Sequence, residues 1–250
     1  MIIGNTFEHY LISKGIDVVD QINFDLKSKE VTEEMLLEQI KIINEFHKSV
    51  KGSTTGVKER LDSRAGRVVE SFKVNIKKLK RDMDRFKEEG ASNLFEEIIL
   101  YKGDDYIKRG EEVIKIIYEN EYYDLILRSM KNKEICLDDV DFNNLAKESK
   151  VQVKNIKKSS YNMVEIDCYN LLYKYKKKGL DVNFKKLVEE FCELEGLKDN
   201  SYQFIIACLS FPYEVTRQCS NYRLKKKDLR DDEYILKLQK AIIQDSMSLL

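Results

Sequence analysis

The chain has 250 residues, enough for one large domain or two small ones with a buried core. Its 44 lysines and arginines balance 44 aspartates and glutamates, so net charge gives no reason to expect nucleic acid or an anionic membrane as partner. One proline and a charged fraction of 35% favour long helices.

The first 30 residues carry two short patterns. Residues 7–11 place apolar side chains on one helical face, whereas residues 22–26 alternate as in a half-buried strand. The same region lacks the basic and continuous apolar segments of a signal peptide. No apolar run in the chain reaches the roughly 18 residues of a membrane-spanning helix.

Two helices are predicted next. Thr32 is a suitable N-cap for a helix that carries His47 on its apolar face, where we expect the histidine to be a packing residue. Residues 64–88 form a second helix with one apolar stripe and one basic face, ended by Gly90. We expect the basic face to be solvated.

The second half of the chain is predicted to be helical around one short β element. That element comprises "EICL", a polar loop, a turn at "KESK" and "VQVKNI". Pro212 should kink or break the helix that contains it. The predicted helices cover residues 93–101, 104–130, 162–178, 183–195, 200–222 and 231–247.

The segment "EICLDDVDFNNL" (134–145) has the spacing of a phosphoryl-transfer loop. Such a loop needs an aspartate near the attacking hydroxyl and an asparagine five residues later to hold magnesium, and Asp139 and Asn144 meet that spacing. The next strand, within "VQVKNIKKSS", would carry the second metal ligand. Asp/Asn clusters also make ordinary turns, so the spacing alone leaves both interpretations open.

The flanking sequence resembles a known group of proteins. "EICLDDVDFNNL", "VQVKNI" and "YNMVEIDCYNLL" look like the catalytic core of the aminoglycoside-phosphotransferase/choline-kinase type of kinase-like fold, and within it the spore-coat CotS family. "EQIKIINEFHKS" and "FPYEVTRQCSNY" extend the similarity to roughly residues 35–240. The resemblance implies a mainly α fold: a kinase-like C-lobe with a small β-hairpin at the catalytic-loop position.

The resemblance also implies roles for four residues. Asp139 stands at the position of the catalytic base, and Asn144 at that of the metal-binding asparagine. Asn155 stands where the family has its second metal-binding aspartate, and Asp167 where an aspartate braces the catalytic loop.

Departures from the family pattern point to lost catalysis. The histidine before the family's Gly-Asp pair is Leu137 here, and the glycine is Asp138. Asn155 can donate an oxygen to magnesium but lacks the negative charge that a hard cation favours. Few residues precede the matched region, so we expect an N-terminal remnant or cap at 1–30 and the C-lobe at 31–250, without a full N-lobe.

Two functions follow from these expectations. The first is a non-catalytic pseudokinase with a structural or interaction role in spore formation, requiring no cofactor. In that case residues 1–30 or a second subunit would cover the C-lobe surface, so a protein partner or a homodimer is expected. The alternative is an active phosphotransferase that uses ATP and Mg²⁺ on a hydroxylated substrate. The resemblance implies a location in the mother-cell cytoplasm, with the spore coat as an alternative. The five cysteines are expected to be reduced thiols.

Overall fold

The computed structural model describes residues 6–24, 30–52, 61–225 and 229–250. These residues form ten helices and six short strands. The helices are α1 (Phe7–Ser13), α2 (Glu33–Val50), α3 (Arg67–Glu89), α4 (Leu94–Glu119), α5 (Tyr122–Asn132), α6 (Glu165–Lys176), α7 (Phe184–Glu195), α8 (Asp199–Ser210), α9 (Tyr213–Arg223) and α10 (Asp231–Gln244). The strands are β1 (Asp17–Val18), β2 (Asp62–Ser63), β3 (Ile135–Cys136), β4 (Leu145–Lys147), β5 (Val151–Val153) and β6 (Ser160–Tyr161).

The chain divides into two compact units. Unit 1 comprises Met1–Gly66 and Glu121–Ile206, and unit 2 comprises Arg67–Asn120 and Ala207–Leu250. The predicted division at residues 30 and 31 stays a prediction.

Unit 1 holds both small sheets. In the first, β5 pairs antiparallel with β4 and parallel with β1, and in the second, β6 pairs antiparallel with β3 and parallel with β2. The predicted β-hairpin is therefore present, but the partner of β5 is β4, whereas "EICL" contributes β3 to the other sheet. Helix α2 packs against α7 and against the first sheet, and it carries a buried face that includes Leu36, Ile40 and Ile43.

The predicted strand at residues 22–26 was wrong where the structure describes it. Residues 21–24 form no strand, and residues 25–26 lie outside the described ranges. The ring of Phe24 instead stacks on Phe142, with centroids 4.5 Å apart. In the N-terminal segment, α1 is tied to the end of α2 by a 2.9 Å hydrogen bond from the Tyr10 hydroxyl to the Val50 carbonyl.

Unit 2 is helical, and two glycines set its packing. The predicted break near residue 102 was wrong, because α4 continues through Gly103 to Glu119. A Cβ at Gly103 would collide with the Met83 sulfur, and a Cβ at Gly110 would collide with Ile76. These glycines let α3 and α4 approach closely. The chain breaks later, where Glu121 adopts a left-handed conformation (φ 55°) before α5.

Other sequence predictions are confirmed. Gly90 lies just past the end of α3 with φ 81°. Helix α8 ends at Ser210 and α9 begins at Tyr213, so Pro212 breaks the predicted helix. All five cysteines are buried, in keeping with the apolar sequence around most of them.

No helix within the described residues combines the length and apolar character needed to cross a membrane.

Candidate active site

The acidic loop, residues 137–144, lies between β3 and β4 and contains both predicted catalytic positions. The amide of Asn144 donates to the Asp139 carbonyl at 2.6 Å, so the structure brings these two residues together. The Gln39 amide of α2 donates to the Val140 and Leu145 carbonyls, each at 2.8 Å, and thereby holds the loop from the helix side.

Asn144 also fastens the loop to the segment that follows β5. Its Oδ1 accepts the Asn155 backbone N–H at 2.7 Å, and its amide donates to the Asn155 carbonyl at 3.1 Å. The Asn155 Oδ1 in turn accepts the Lys157 backbone N–H at 3.0 Å. The two predicted magnesium positions are therefore adjacent, and each side-chain oxygen already accepts one backbone hydrogen bond.

Asp139 faces a lysine. Its carboxylate is 37% exposed, and the Lys158 ammonium lies 3.3 Å from its Oδ2. Both side chains reach solvent, so this ion pair contributes at most about 1 kcal/mol to stability.

Asp167, near the start of α6, holds the beginning of the loop. Its fully buried carboxylate accepts the backbone N–H groups of Leu137 at 2.9 Å and Asp138 at 2.8 Å. Hydrogen bonds to a carboxylate are among the stronger ones in proteins. This geometry fixes the backbone one residue before Asp139.

His47 packs in the core as predicted, with its ring edge-on to Phe191, but it also forms two ion pairs. His47 is buried, with Nε2 3.0 Å from Asp167 Oδ2 and Nδ1 2.7 Å from Glu195 Oε1. Burial lowers the pKa of His47, but the charges and hydrogen bonds of Glu195 and Asp167 outweigh it and raise that pKa to about 10. At neutral pH His47 is therefore a cation between two carboxylates.

Asp138 shows how the loop tolerates losing the family's glycine. It adopts a left-handed backbone conformation (φ 69°), which glycine adopts freely and aspartate more readily than most residues. Arg64 lies 2.6 Å from its carboxylate, and the Asn170 amide donates to it at 3.1 Å. Burial and then the nearby Asp167 charge raise the pKa of Asp138, with Arg64 offsetting part of the rise.

A second ion network includes Glu134, the residue just before β3. Arg128 of α5 contacts Glu134 at 3.0 Å and Glu165 at 2.7–2.8 Å, in each case through two nitrogens. The Ser201 hydroxyl donates to Glu165 at 2.6 Å. These contacts raise the pKa of Arg128 despite its partial burial, which acts in the opposite direction.

Cys136 is not a nucleophile in this site. Burial, followed by the charge of Asp167, raises the pKa of its thiol well above the usual value, which disfavours the reactive thiolate. The thiol donates to the Met163 carbonyl at 3.0 Å.

Sequence reasoning missed the residues that position the loop from a distance. Gln39, His47 and Arg64 lie 74 to 120 positions from their loop or Asp167 partners, and a single sequence carries no signal for such pairs. The contact of Lys158 with Asp139 could have been predicted, because Lys158 closely follows the segment that carries the second metal position.

Comparison with solved structures identifies the fold. The chain superposes on the crystal structure of an aminoglycoside phosphotransferase from Alicyclobacillus acidocaldarius subsp. acidocaldarius with a TM-score of 0.67 and 18% sequence identity. The match covers 92% of this chain and 66% of that one. The chain has the kinase-like fold of the aminoglycoside phosphotransferases. The predicted fold class, a mainly helical kinase-like C-lobe, is confirmed.

The sequence is similar to that of a spore coat protein. The chain is 23% identical to Spore coat protein S of Bacillus subtilis (strain 168) over 235 residues, covering 89% of this chain and 67% of that protein. No family model matches the chain. The resemblance to the CotS family is confirmed by this relative and by the kinase-like fold, and the chain spans about two thirds of the length of both proteins.

Proposed function

We propose that the chain is a non-catalytic, kinase-like protein of the spore coat CotS type, with a structural or interaction role in spore formation. The similarity to Spore coat protein S supports the coat as its destination. Synthesis in the mother-cell cytoplasm is part of the proposal. The state of the acidic loop supports the absence of catalysis.

One observation carries this proposal: the second magnesium position, where the family has an aspartate, is the neutral Asn155, and the side-chain oxygens of Asn144 and Asn155 already accept backbone hydrogen bonds. Magnesium in such sites is held by one or two carboxylates together with substrate phosphates, because the ion gives up its water reluctantly. Asn144 and Asn155 supply no negative charge. The residues present therefore do not fit Mg²⁺.

A thermal unfolding experiment tests the proposal. The full chain is heated with and without millimolar Mg-ATP, with Asp139→Asn as the matched variant, which keeps the side-chain shape and removes the charge. A non-catalytic chain shows no shift in Tm with nucleotide for either protein. A rise of several degrees in the wild type that is lost in Asp139→Asn would overturn the proposal.

A second candidate, an ATP- and Mg²⁺-dependent phosphotransferase acting on a hydroxylated substrate, is favoured by Asp139 itself. Its carboxylate is solvent-accessible and its backbone is held by Asn144, as a general base requires. This candidate expects transfer of phosphate from ATP to a panel of hydroxylated small molecules, and loss of that transfer in Asp139→Asn.

A further inference from the structure

Three buried side chains near the start of the acidic loop carry the donor atoms of a transition-metal site. A ring nitrogen of His47, the sulfur of Cys136 and a carboxylate oxygen of Asp167 all lie within 4.8 Å of one another. The three residues come from three elements of unit 1, namely α2, β3 and α6. Imidazole nitrogen, thiolate sulfur and carboxylate oxygen are the ligand types that proteins use for zinc.

The spacing of these donors is close to the spacing around a zinc ion. Zinc lies about 2.0–2.3 Å from its ligand atoms, so tetrahedral angles separate the donors by roughly 3.3–3.7 Å. Nε2 of His47 and Oδ2 of Asp167 are 3.0 Å apart, and the Cys136 sulfur lies within 4.8 Å of its two partners. Adjustments on the order of 1 Å therefore bring all three donors into range.

The outer contacts of this cluster match those of a metal site. Nδ1 of His47 lies 2.7 Å from Oε1 of Glu195, and metal-bound histidines usually donate their second N–H group to such a carboxylate. The Asp167 carboxylate accepts the backbone N–H groups of Leu137 and Asp138. These bonds hold the imidazole and the carboxylate in fixed orientations, and none of them needs to break when a metal binds.

The charges around Cys136 attract a cation. Burial is the main cause of the raised pKa of its thiol, and neighbouring acidic groups raise that pKa further: Asp167, Asp138, Glu134 and Glu165. The same charges that disfavour a thiolate draw a divalent cation to this position. A coordinated metal ion in turn stabilises the thiolate and so removes its proton.

A cavity gives the cluster a path to solvent. It has a volume of about 180 Å³, and its lining includes His47, Glu195 and Ile135, the residue before Cys136. Lys48 and Lys51 also line it, but both are exposed, so water and salt screen their charges. Zinc sites with three protein ligands take water as the fourth ligand, and the cavity can supply it.

We propose that His47, Cys136 and Asp167 form a zinc site that joins α2, β3 and α6. In the metal-free chain a proton lies between His47 and Asp167. Zinc replaces that Nε2 proton and the thiol proton of Cys136, and both protons pass to solvent. The site lies on the buried side of the acidic loop, so the inference goes beyond the proposed function and does not depend on magnesium at Asn144 or Asn155.

Thermal unfolding and cobalt spectroscopy of the full chain test the site. Zinc at about a hundred times its Kd should raise the Tm of the wild type by several degrees, whereas the same concentration of Mg²⁺ should not. One equivalent of Co²⁺, a spectroscopic substitute for zinc, should produce a thiolate-to-cobalt absorption band. Cys136→Ser should lose this band and bind zinc at least tenfold more weakly. Its hydroxyl can still donate to the Met163 carbonyl, as the thiol does.

Cys219→Ser is the matched control, because Cys219 is also buried but belongs to unit 2. It should keep both the cobalt band and the rise in Tm with zinc. Three results would overturn the inference: no thiolate band in the wild type, a band that survives Cys136→Ser, and an equal rise in Tm with zinc for Cys136→Ser. The first result needs no variant, so the inference stays testable even where Cys136→Ser does not fold.

Discussion

The two sides of the acidic loop differ in how charge is used. Behind the loop, His47, Asp167 and Glu195 form a buried and fully hydrogen-bonded ion cluster. In front, Asp139 meets Lys158 in solvent, and Asn144 and Asn155 present no charge. The buried side holds the backbone of the loop by ion pairs and hydrogen bonds, whereas the two candidate metal positions carry no charge. Positioning of the loop therefore does not depend on charge at those two positions.

The buried side should dominate stability. Replacing Arg128 with methionine leaves Glu134 and Glu165 buried without their cation, which we expect to lower the free energy of unfolding by about 3–5 kcal/mol. Urea unfolding measures the loss. Lys41→Met is the control, because Lys41 pairs with Glu38 in solvent, and it should cost less than about 1 kcal/mol. Equal losses would contradict the importance of the buried network.

The His47 cluster should make stability depend on pH. The pKa of His47 is raised to about 10 from 6.5, so its contribution is complete below pH 6.5 and disappears as the pH rises through 10. The wild type should therefore lose stability between pH 7 and pH 10. His47→Gln should be about 3 kcal/mol less stable at pH 7 and should show a shallower decline. Parallel pH curves for the two proteins would show that His47 is not charged in the folded state.

A carboxylate at position 155 should raise the affinity of the loop for Mg²⁺. Asn155→Asp returns a carboxylate to the second metal position, and we expect Mg²⁺ affinity at least tenfold above that of the wild type, measured by calorimetry. Asn143→Asp adds the same charge within the loop and is the control. If both variants gained affinity for Mg²⁺ equally, the added negative charge in the loop, rather than its position at a metal ligand, would explain the result.

The smallest effect on stability is expected for the exposed ion pair of Asp139 and Lys158. Lys158→Ala removes the cation beside Asp139, and we expect the free energy of unfolding to change by less than about 1 kcal/mol, because both groups reach solvent. Chemical denaturation checks this value. A loss as large as that of Arg128→Met would mean that the front of the loop also carries structural charge.

Local sequence patterns predicted the elements but not their distant partners. Pro212 and Gly90 act on their neighbours, so the helix ends near them were predictable. The ion pairs of His47 were not predictable, because a helical wheel shows which face is buried but not that Asp167 and Glu195 contact the histidine there. The predicted break near residue 102 failed for a related reason: Gly103 lies inside α4, where it permits close contact with Met83.

The candidate site divides in the same way. The five-residue spacing placed Asp139 and Asn144 in one loop, since the loop is contiguous in sequence. The contacts from Gln39 and Arg64 depend on tertiary packing, which the spacing of residues along the sequence does not reveal.

The most direct test asks whether a metal–nucleotide complex reaches Asn144 and Asn155. Paramagnetic Mn²⁺ can stand in for Mg²⁺, and it broadens the NMR signals of side-chain amides close to it. A non-catalytic site predicts that the amide signals of these two asparagines are as sharp with Mn-ATP as with diamagnetic Mg-ATP. Broadening of the Asn144 and Asn155 signals by Mn-ATP, reversed by a chelator, would contradict it.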